Sequence, residues 1–232
     1  MVTGAASGIG RATALLLARE GATVYALDVN RDGGEAVVAA AGGLVRFIHC
    51  DVSSRQDSET AVARVLQEQA HIDLLVNNAG VMSFTSVVET EEHVWDKVLA
   101  TNLTAGYRLA RLCLPHMRSG ASIVNVSSVH AQRSTALVAP YAASKAALEA
   151  FTRVLSIEVA GAGIRVNAVA PGAIDTPLLW SNPNIASGVE KLDGPVGQPE
   201  DVAAAIAFLC STDARFVTGT TLAVDFGRLA AL

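Results

Sequence analysis

The sequence has little cysteine. Its three cysteines, Cys50, Cys113 and Cys210, are odd in number and far apart. This pattern argues against a disulfide framework and against a cysteine-based zinc site. The five histidines are also scattered, without the spacing of metal ligands. We therefore expect a protein of the reducing cytoplasm that has no metal site.

Long apolar runs and runs of like charge are absent as well. The longest apolar stretches fall short of about 18 residues, and no charged segment precedes an apolar one at the start, so we predict neither a membrane span nor secretion. The net charge of -5 is spread without clusters. This distribution does not favour nucleic acid or an anionic membrane as a partner.

What the sequence does contain is a repeated alternation of short apolar strands and helices. With 232 residues, 51% of them hydrophobic and 17% charged, it can bury a large core. We predict an α/β fold, a Rossmann-type doubly wound parallel sheet of about seven strands with helices on both faces, in a single domain over 1–232. The predicted strands are Met1–Thr3, Thr23–Asp28, Leu44–Ile48, Ile72–Val76, Ser122–Val126, Ile164–Ala170 and Thr220–Val224.

A glycine-rich stretch follows the first strand and leads into a helix from Arg11 to Glu20. Gly4, Gly8 and Gly10 have the spacing Gly-x3-Gly-x-Gly, which differs from the commoner Gly-x-Gly-x2-Gly. Glycines at such a turn let backbone N–H groups approach a pyrophosphate at the positive end of the helix. The order of strand, glycine turn and helix therefore predicts a phosphate-binding loop.

Asp28 ends the second strand, 18 positions after Gly10. A carboxylate about 20 residues on is where a dinucleotide fold binds the adenosine ribose, and it would repel a 2′-phosphate. This position favours NAD over NADP. The alternatives are that Asp28 only forms a turn before Asn30, or that Arg11 or Arg31 meets a phosphate.

Tyr141 and Lys145 are four residues apart in a segment that we predict to be helical to about Ala160. This spacing places both side chains on one face, where a cation would favour the phenolate and lower the pKa of the tyrosine. An ordinary amphipathic helix would give the same spacing. Ser127 and Ser128 end a buried strand just upstream.

Several motifs in order resemble the classical short-chain dehydrogenase/reductase family over nearly the whole chain. The resemblance implies that Tyr141 is the general acid/base and that Ser128, 13 residues before it, holds the substrate oxygen. It also implies that Lys145 lowers the pKa of Tyr141 and binds the nicotinamide ribose, and that Asn102 fixes a water that relays protons. The motifs are Thr3-Gly4-x3-Gly8-x-Gly10, Asp51-Val52, Asn77-Asn78-Ala79-Gly80, Asn102, Ser128, Tyr141-x3-Lys145 and Pro171-Gly172.

By the same resemblance, the dinucleotide binds along the loops that follow the strands. Asp51 and Val52 would contact the adenine, and Ile174 and Thr176 the carboxamide. The full set of expected cofactor-binding residues is Gly4, Ser7, Gly8, Ile9, Gly10, Asp28, Asp51, Val52, Asn78, Ala79, Gly80, Tyr141, Lys145, Pro171, Gly172, Ile174 and Thr176.

The substrate is expected to be a secondary alcohol or ketone of the sugar, polyol or hydroxy-acid type. Its pocket would include Val81, His130, Gln132 and a loop or short helices over 175–196 that contain Trp180. His130 could bind the substrate or be a plain loop residue. The alternatives to an NAD-dependent dehydrogenase are an NADPH-dependent 3-oxoacyl-thioester reductase and a catalytically silent dinucleotide-binding regulator.

The resemblance also implies a homotetramer, assembled through the helices that bear Asn102 and Tyr141. Two departures from the family pattern stand out. The chain begins only two residues before Thr3, so either its start lies upstream or its first strand is weakened. Phe226 replaces the first glycine of a usual Asp-Gly-Gly, which we expect to alter a turn or a subunit contact.

Overall fold

The computed structural model describes residues 1–189, 191–192 and 194–230. Within this part of the chain, seven parallel strands form one sheet in the order β3-β2-β1-β4-β5-β6-β7. The doubly wound α/β fold predicted from the alternating pattern is thereby confirmed. The strands are β1 Val2–Thr3, β2 Val24–Asp28, β3 Val45–His49, β4 Leu74–Asn77, β5 Ser122–Val126, β6 Arg165–Pro171 and β7 Thr221–Val224.

Helices connect successive strands and cover both faces of the sheet. Between Leu99 and Ala105 the chain forms one π-helical turn, Ala100–Thr104, and the predicted substrate segment contains two short helices, Pro177–Trp180 and Pro183–Ala186. None of the helices in the described ranges is long and apolar enough to cross a membrane. The helices are α1 Gly8–Arg19, α2 Arg31–Ala40, α3 Arg55–Glu68, α4 Glu92–Leu99, α5 Ala105–Cys113, α6 Ala139–Val159, α7 Pro177–Trp180, α8 Pro183–Ala186 and α9 Pro199–Cys210.

The core lies in two apolar layers, one on each face of the sheet. Successive residues of a strand point to opposite faces, so Leu75 and Ile123 pack in one layer while Val76 and Val124 pack in the other. Every residue of β5 is buried. Burial on both faces explains why the central strands are rich in apolar residues and do not show a strict alternation with exposed polar residues.

The strand order reverses at β1, which pairs with β2 on one side and β4 on the other. The chain leaves β1 toward β2 and β3, then returns across it to β4. In open parallel sheets, ligands bind outside the carboxyl ends of the strands at such a reversal. We therefore expect a ligand site at the loops that follow β1 and β4.

Phe226 lies in the turn that follows β7 with a φ of 51°, in the left-handed region, and its side chain is 88% exposed. A β-carbon is disfavoured there, whereas glycine adopts this conformation without the same steric penalty. The next residue, Gly227, also has a positive φ, of 83°. The departure from the usual glycine therefore strains the turn locally.

We expect Phe226→Gly to raise the free energy of unfolding by about 1 kcal/mol relative to Phe226→Ala, because alanine removes the ring but keeps the strained β-carbon. Chemical denaturation of both variants at one protomer concentration measures this difference. Equal stabilities of the glycine and alanine variants would contradict it.

Candidate active site

A cleft of about 350 Å³ opens at the carboxyl edge of the sheet, where the strand order reverses. Its walls come from the loops that follow six different strands, β1 to β6, and from the start of α6. The predicted residues that line it are Gly4, Ser7, Gly8, Ile9, Asp28, Val52, Asn78, Ala79, Gly80, Val81, Ser128, His130, Tyr141, Lys145, Pro171, Gly172, Ile174 and Thr176.

The glycine loop forms the floor of one end of this cleft. Gly4 and Gly8 have φ values of +63° and +49°, which side chains rarely adopt. A β-carbon on Gly8 would lie 2.9 Å from Cγ2 of Thr176, and one on Gly10 would lie 2.1 Å from the Gly4 carbonyl oxygen. Gly10 is not among the lining residues but packs against the Gly4 carbonyl behind the loop, and its expected cofactor contact stays a prediction.

Asp28 is fixed at the far end of the cleft by two backbone amides. Its Oδ2 accepts a hydrogen bond from Ala6 N at 2.9 Å, and its Oδ1 accepts one from Asn30 N, also at 2.9 Å. The carboxylate thus both forms the turn and links β2 to the glycine loop. The two interpretations of Asp28 from the sequence, turn former and cleft residue, are compatible.

The pair Asp51 and Val52 separates in the structure. Val52 lines the cleft, but Asp51 does not. The Asp51 carboxylate accepts hydrogen bonds from the backbone and hydroxyl of Ser53, at 2.9 and 2.7 Å, and so caps a local turn. Cys50, the buried residue before the pair, lines the cleft in its place, and burial raises the pKa of its thiol to about 12. Its position directly after β3 is the sequence feature from which a place in the cleft could have been predicted.

Asn78 connects the loop after β4 to the glycine loop after β1. Its Nδ2 donates to the carbonyl oxygens of Thr3 and Gly4 at 2.9 and 3.2 Å. The backbone amides of Asn78 and Ala79 both donate to the Thr3 hydroxyl, at 2.9 and 3.0 Å. These bonds hold the loops that follow β1 and β4 side by side, as a bound dinucleotide would require.

Ser128, Tyr141 and Lys145 meet in the middle of the cleft, 5%, 7% and 3% exposed. Burial raises the pKa of the Tyr141 phenol, while a hydrogen bond with the Ser128 hydroxyl opposes this shift. Burial also lowers the pKa of Lys145 to about 8. The arrangement therefore brings a phenol, a hydroxyl and an amine out of water together.

Lys145 does not lower the pKa of Tyr141 in this arrangement, contrary to the expectation from their spacing. Its Nζ donates to the Val126 carbonyl oxygen at 2.7 Å and lies 5.6 Å from the centroid of the Tyr141 ring. The amine is thus directed at the end of β5, and loss of solvation dominates the pKa of the phenol.

The structure also separates the two serines that follow β5. The Ser127 hydroxyl donates to Oε1 of Glu149 at 2.9 Å and to the Lys145 carbonyl oxygen at 3.3 Å, so it anchors the end of β5 to α6. The Ser128 hydroxyl points to Tyr141 and accepts from His130 N at 3.2 Å. This difference agrees with the expectation that Ser128, 13 residues before Tyr141, is the serine that acts with it.

Asn102 lies in the π-helical turn, beneath the cleft, and is 3% exposed. Its Oδ1 accepts from Val81 N at 2.9 Å, and its Nδ2 donates to Val81 O and to the Ser144 hydroxyl, both at 3.0 Å. The amide therefore clamps the segment after β4 onto α6. What the geometry supports for Asn102 is this positioning role.

The end of the cleft beyond Tyr141 is built from the segment after Gly80 and from α7 and α8. Two residues expected in this pocket do not line it. Gln132 is exposed, and Trp180 is 56% exposed, with its Nε1 donating to Oδ1 of Asp175 at 2.6 Å. Glu190 and Asp193 of the predicted substrate segment lie outside the described residues. Lining residues that the sequence did not single out are Leu27, Val29, Cys50, Met82, Thr101, Val126, Leu178, Leu179 and Asn182.

The residues present fit a nicotinamide dinucleotide. The glycine loop has no room for β-carbons at Gly4, Gly8 and Gly10. The amino end of α1 faces the cleft, and the Ser7 hydroxyl makes no capping hydrogen bond to that helix. Asp28 lies at one end and the Ser128–Tyr141–Lys145 group in the middle. In the described ranges no group of three or more histidine, cysteine, aspartate or glutamate side chains is placed to hold a metal.

Comparison with known proteins agrees with this geometry. The sequence profile described as "Enoyl-(Acyl carrier protein) reductase" matches residues 4–228. The chain is 40% identical to a 3-oxoacyl-[acyl-carrier-protein] reductase of Thermotoga maritima, over 98% of this chain and 96% of that protein. It is 38% identical to a cyclopentanol dehydrogenase of Comamonas sp., over 99% and 96%. A 3-ketoacyl-(acyl-carrier-protein) reductase of Brucella melitensis, solved as a complex with NADH, has a TM-score of 0.90 at 34% identity, over 97% and 96% of the two chains.

We expect Gly10→Ala to lower NADH affinity by at least about tenfold, because the new β-carbon would displace the Gly4 carbonyl and with it the glycine loop. Gly161→Ala is the matched control, since a β-carbon there meets nothing within 4 Å. Titration of nucleotide fluorescence, with a thermal unfolding curve for each variant, makes the comparison. Unchanged affinity in a folded Gly10→Ala protein would refute the packing role.

Proposed function

The chain belongs to the short-chain dehydrogenase/reductase family, and on that premise we propose that it transfers a hydride between NAD(H) and a secondary alcohol or its ketone. In this proposal residues 1–232 form one dinucleotide-binding domain, in which 175–196 cover the substrate. The observation that carries it is the burial of Ser128, Tyr141 and Lys145 together in the cleft that the glycine loop lines.

NAD, when bound, supplies the hydride acceptor, and the protein supplies the proton transfer and the polar contacts. Tyr141 would take the proton of the substrate hydroxyl during oxidation and return it during reduction. Ser128, already hydrogen-bonded to the phenol, would donate a hydrogen bond to the substrate oxygen as charge develops on it. Both groups are shielded from water, which strengthens these interactions.

Lys145 would hold the nicotinamide ribose and favour the phenolate once it turns from the Val126 carbonyl toward that end of the cleft. Its Nζ, which donates to Val126 O, lies 5.6 Å from the centroid of the Tyr141 ring. Asn102 would hold Val81 in the wall next to the reacting atoms and take part in the proton relay that the family resemblance implies.

Asp28 supports NAD as the cofactor. Two backbone amides hold its carboxylate at the end of the cleft, where it would accept hydrogen bonds from a ribose and repel a 2′-phosphate. The relative solved with NADH has the same fold over 97% of this chain. NADP is the less favoured alternative.

The second candidate function is NADPH-dependent reduction of a 3-oxoacyl thioester. The names of two relatives, a 3-oxoacyl- and a 3-ketoacyl-(acyl-carrier-protein) reductase, favour the thioester substrate. The carboxylate of Asp28 weighs against this function, because the cofactor would then carry an additional phosphate. A catalytically silent regulator would not need the buried group of Ser128, Tyr141 and Lys145.

We also propose a homotetramer and a cytoplasmic location. Apolar side chains remain exposed on the helices that bear the site: Tyr107 on α5 is 49% exposed, and Val154 and Ile157 on α6 are 55% and 77% exposed. Association through these faces would cover them. The three cysteines are buried free thiols, which suits a reducing compartment.

We expect the protein to bind NADH at least about tenfold more tightly than NADPH, and Asp28→Asn to reduce this ratio because the variant removes the charge that repels the 2′-phosphate. Asp32→Asn, an exposed position in the first turn of α2, is the control. Fluorescence titration with both nucleotides measures the ratio. A wild-type preference for NADPH would overturn the cofactor assignment.

Tyr141→Phe should reduce turnover by at least about 100-fold and leave NADH affinity unchanged, because only the proton-transferring oxygen is removed. The substrate for this assay comes from an NAD(H)-coupled screen of alcohols, sugars, hydroxy acids, steroids and acyl thioesters. Tyr107→Phe, the same change outside the cleft, should retain activity. Turnover of the Tyr141→Phe variant at the wild-type rate would exclude Tyr141 as the acid/base.

A further inference from the structure

The substrate end of the cleft has apolar walls. On one side Val81 and Met82 follow the loop after β4, and on the other Leu178 and Leu179 project from α7. All four are partly exposed in the cleft, so their surfaces are available to a bound molecule. Burial of apolar substrate surface against them is favourable, whereas a polar surface there would lose water without replacement.

Two polar side chains of the covering segment that line the cleft, Thr176 and Asn182, form hydrogen bonds with the segment's own backbone. The Thr176 hydroxyl accepts from Leu179 N at 3.3 Å and donates to Ile174 O at 3.2 Å. Oδ1 of Asn182 accepts from Asn184 N at 2.9 Å, which caps α8. These hydrogen bonds cap the two short helices, so both side chains are already engaged by the backbone.

Cationic side chains are scarce at this end. Among the described lining residues the one lysine is Lys145, whose amine donates to Val126 O, and there is no arginine. Arg133 and Lys191 are exposed and do not line the cleft. The two residues of the segment outside the description, Glu190 and Asp193, are acidic by sequence. A carboxylate or phosphate near the reacting carbon would therefore lack the cation that its burial requires.

We infer that the substrate is a neutral, predominantly apolar secondary alcohol or the corresponding ketone, without an acid group beside the reacting carbon and without the several hydroxyls of a polyol. His130 supplies the main additional polar group: its ring packs edge-on against the Tyr141 ring at 5.9 Å, and its Nδ1 lies 3.3 Å from the Ser134 hydroxyl. This inference rests on the proposed function; it keeps the secondary alcohol or ketone expected from the sequence and departs from the sugar, polyol or hydroxy-acid type.

Two pairs of compounds of similar shape test it, with the full-length protein and saturating NAD⁺. In the first pair, 2-pentanol is compared with 3-hydroxybutyrate, which replaces an ethyl end by a carboxylate. In the second pair, cyclohexanol is compared with myo-inositol, which adds hydroxyls around the same ring. We expect kcat/KM to be at least about 100-fold higher for the neutral, apolar member of each pair.

A charge introduced into the apolar wall should shift the first ratio. We expect Leu179→Lys to reduce the preference for 2-pentanol over 3-hydroxybutyrate by at least about tenfold, because the ammonium would pair with the carboxylate. Met82→Lys tests the opposite wall and replaces the first variant if that protein does not fold. Gln56→Lys, exposed on α3, adds the same charge at a residue that does not line the cleft and should leave the ratio unchanged.

The outcomes separate this inference from the proposed function. NAD⁺-dependent turnover that favours 3-hydroxybutyrate or inositol, or treats both members of a pair equally, overturns the inference and leaves the proposed function standing. The same holds if neither Leu179→Lys nor Met82→Lys changes the first ratio in a folded protein. Absence of turnover with these four compounds and throughout the wider screen of alcohols, sugars, hydroxy acids, steroids and acyl thioesters, with either nucleotide, overturns the proposed function, and the inference with it.

Discussion

The hydroxyl of Thr3 is the contact on which the arrangement of the cleft depends. It is 2% exposed, accepts hydrogen bonds from the amides of Asn78 and Ala79, and donates to Val76 O at 3.4 Å. β1 contributes only two residues to the sheet, with a single residue pair in register with β4. A side chain thus supplies the connection that a longer strand would make through its backbone. Buried hydrogen bonds of this kind are costly to break, because the amides would be left without partners.

The catalytic group depends on a second connection, between β5 and α6. Asn125 lies at the centre of a buried chain of side chains: its Oδ1 accepts from Asn77 Nδ2 at 2.8 Å and its Nδ2 donates to Thr152 Oγ1 at 2.9 Å. One turn nearer the cleft, Ser127 reaches Glu149. These polar contacts fix the helix that carries Tyr141 and Lys145 against the strand that delivers Ser128. Polar networks of this type specify one arrangement of elements, which apolar packing alone does less well.

Much of this organisation could be predicted from the sequence, because apolar runs and helix periodicity are local signals. The strands are examples, whereas the choice of Ser128 over Ser127 follows from the family resemblance. What local signals do not show is the direction of side chains at the edge of the sheet. Asp51 and Val52 are neighbours, yet only Val52 lines the cleft, since Asp51 turns to Ser53. The pKa of Tyr141 could not be read from a four-residue spacing either, because burial outweighs a cation whose amine is directed elsewhere.

The π-helical turn Ala100–Thr104 also determines the direction in which the side chains of the following helix, α5, point. One additional residue in a turn rotates everything downstream by about 100° relative to a continuous α-helix. The extra residue lets Asn102 face Val81 while Leu109 and Cys113 of α5 still point into the core. The number of residues in this stretch is therefore as much a determinant of the site as their identity. A deletion of one residue there would keep every side chain of the site and lose their alignment.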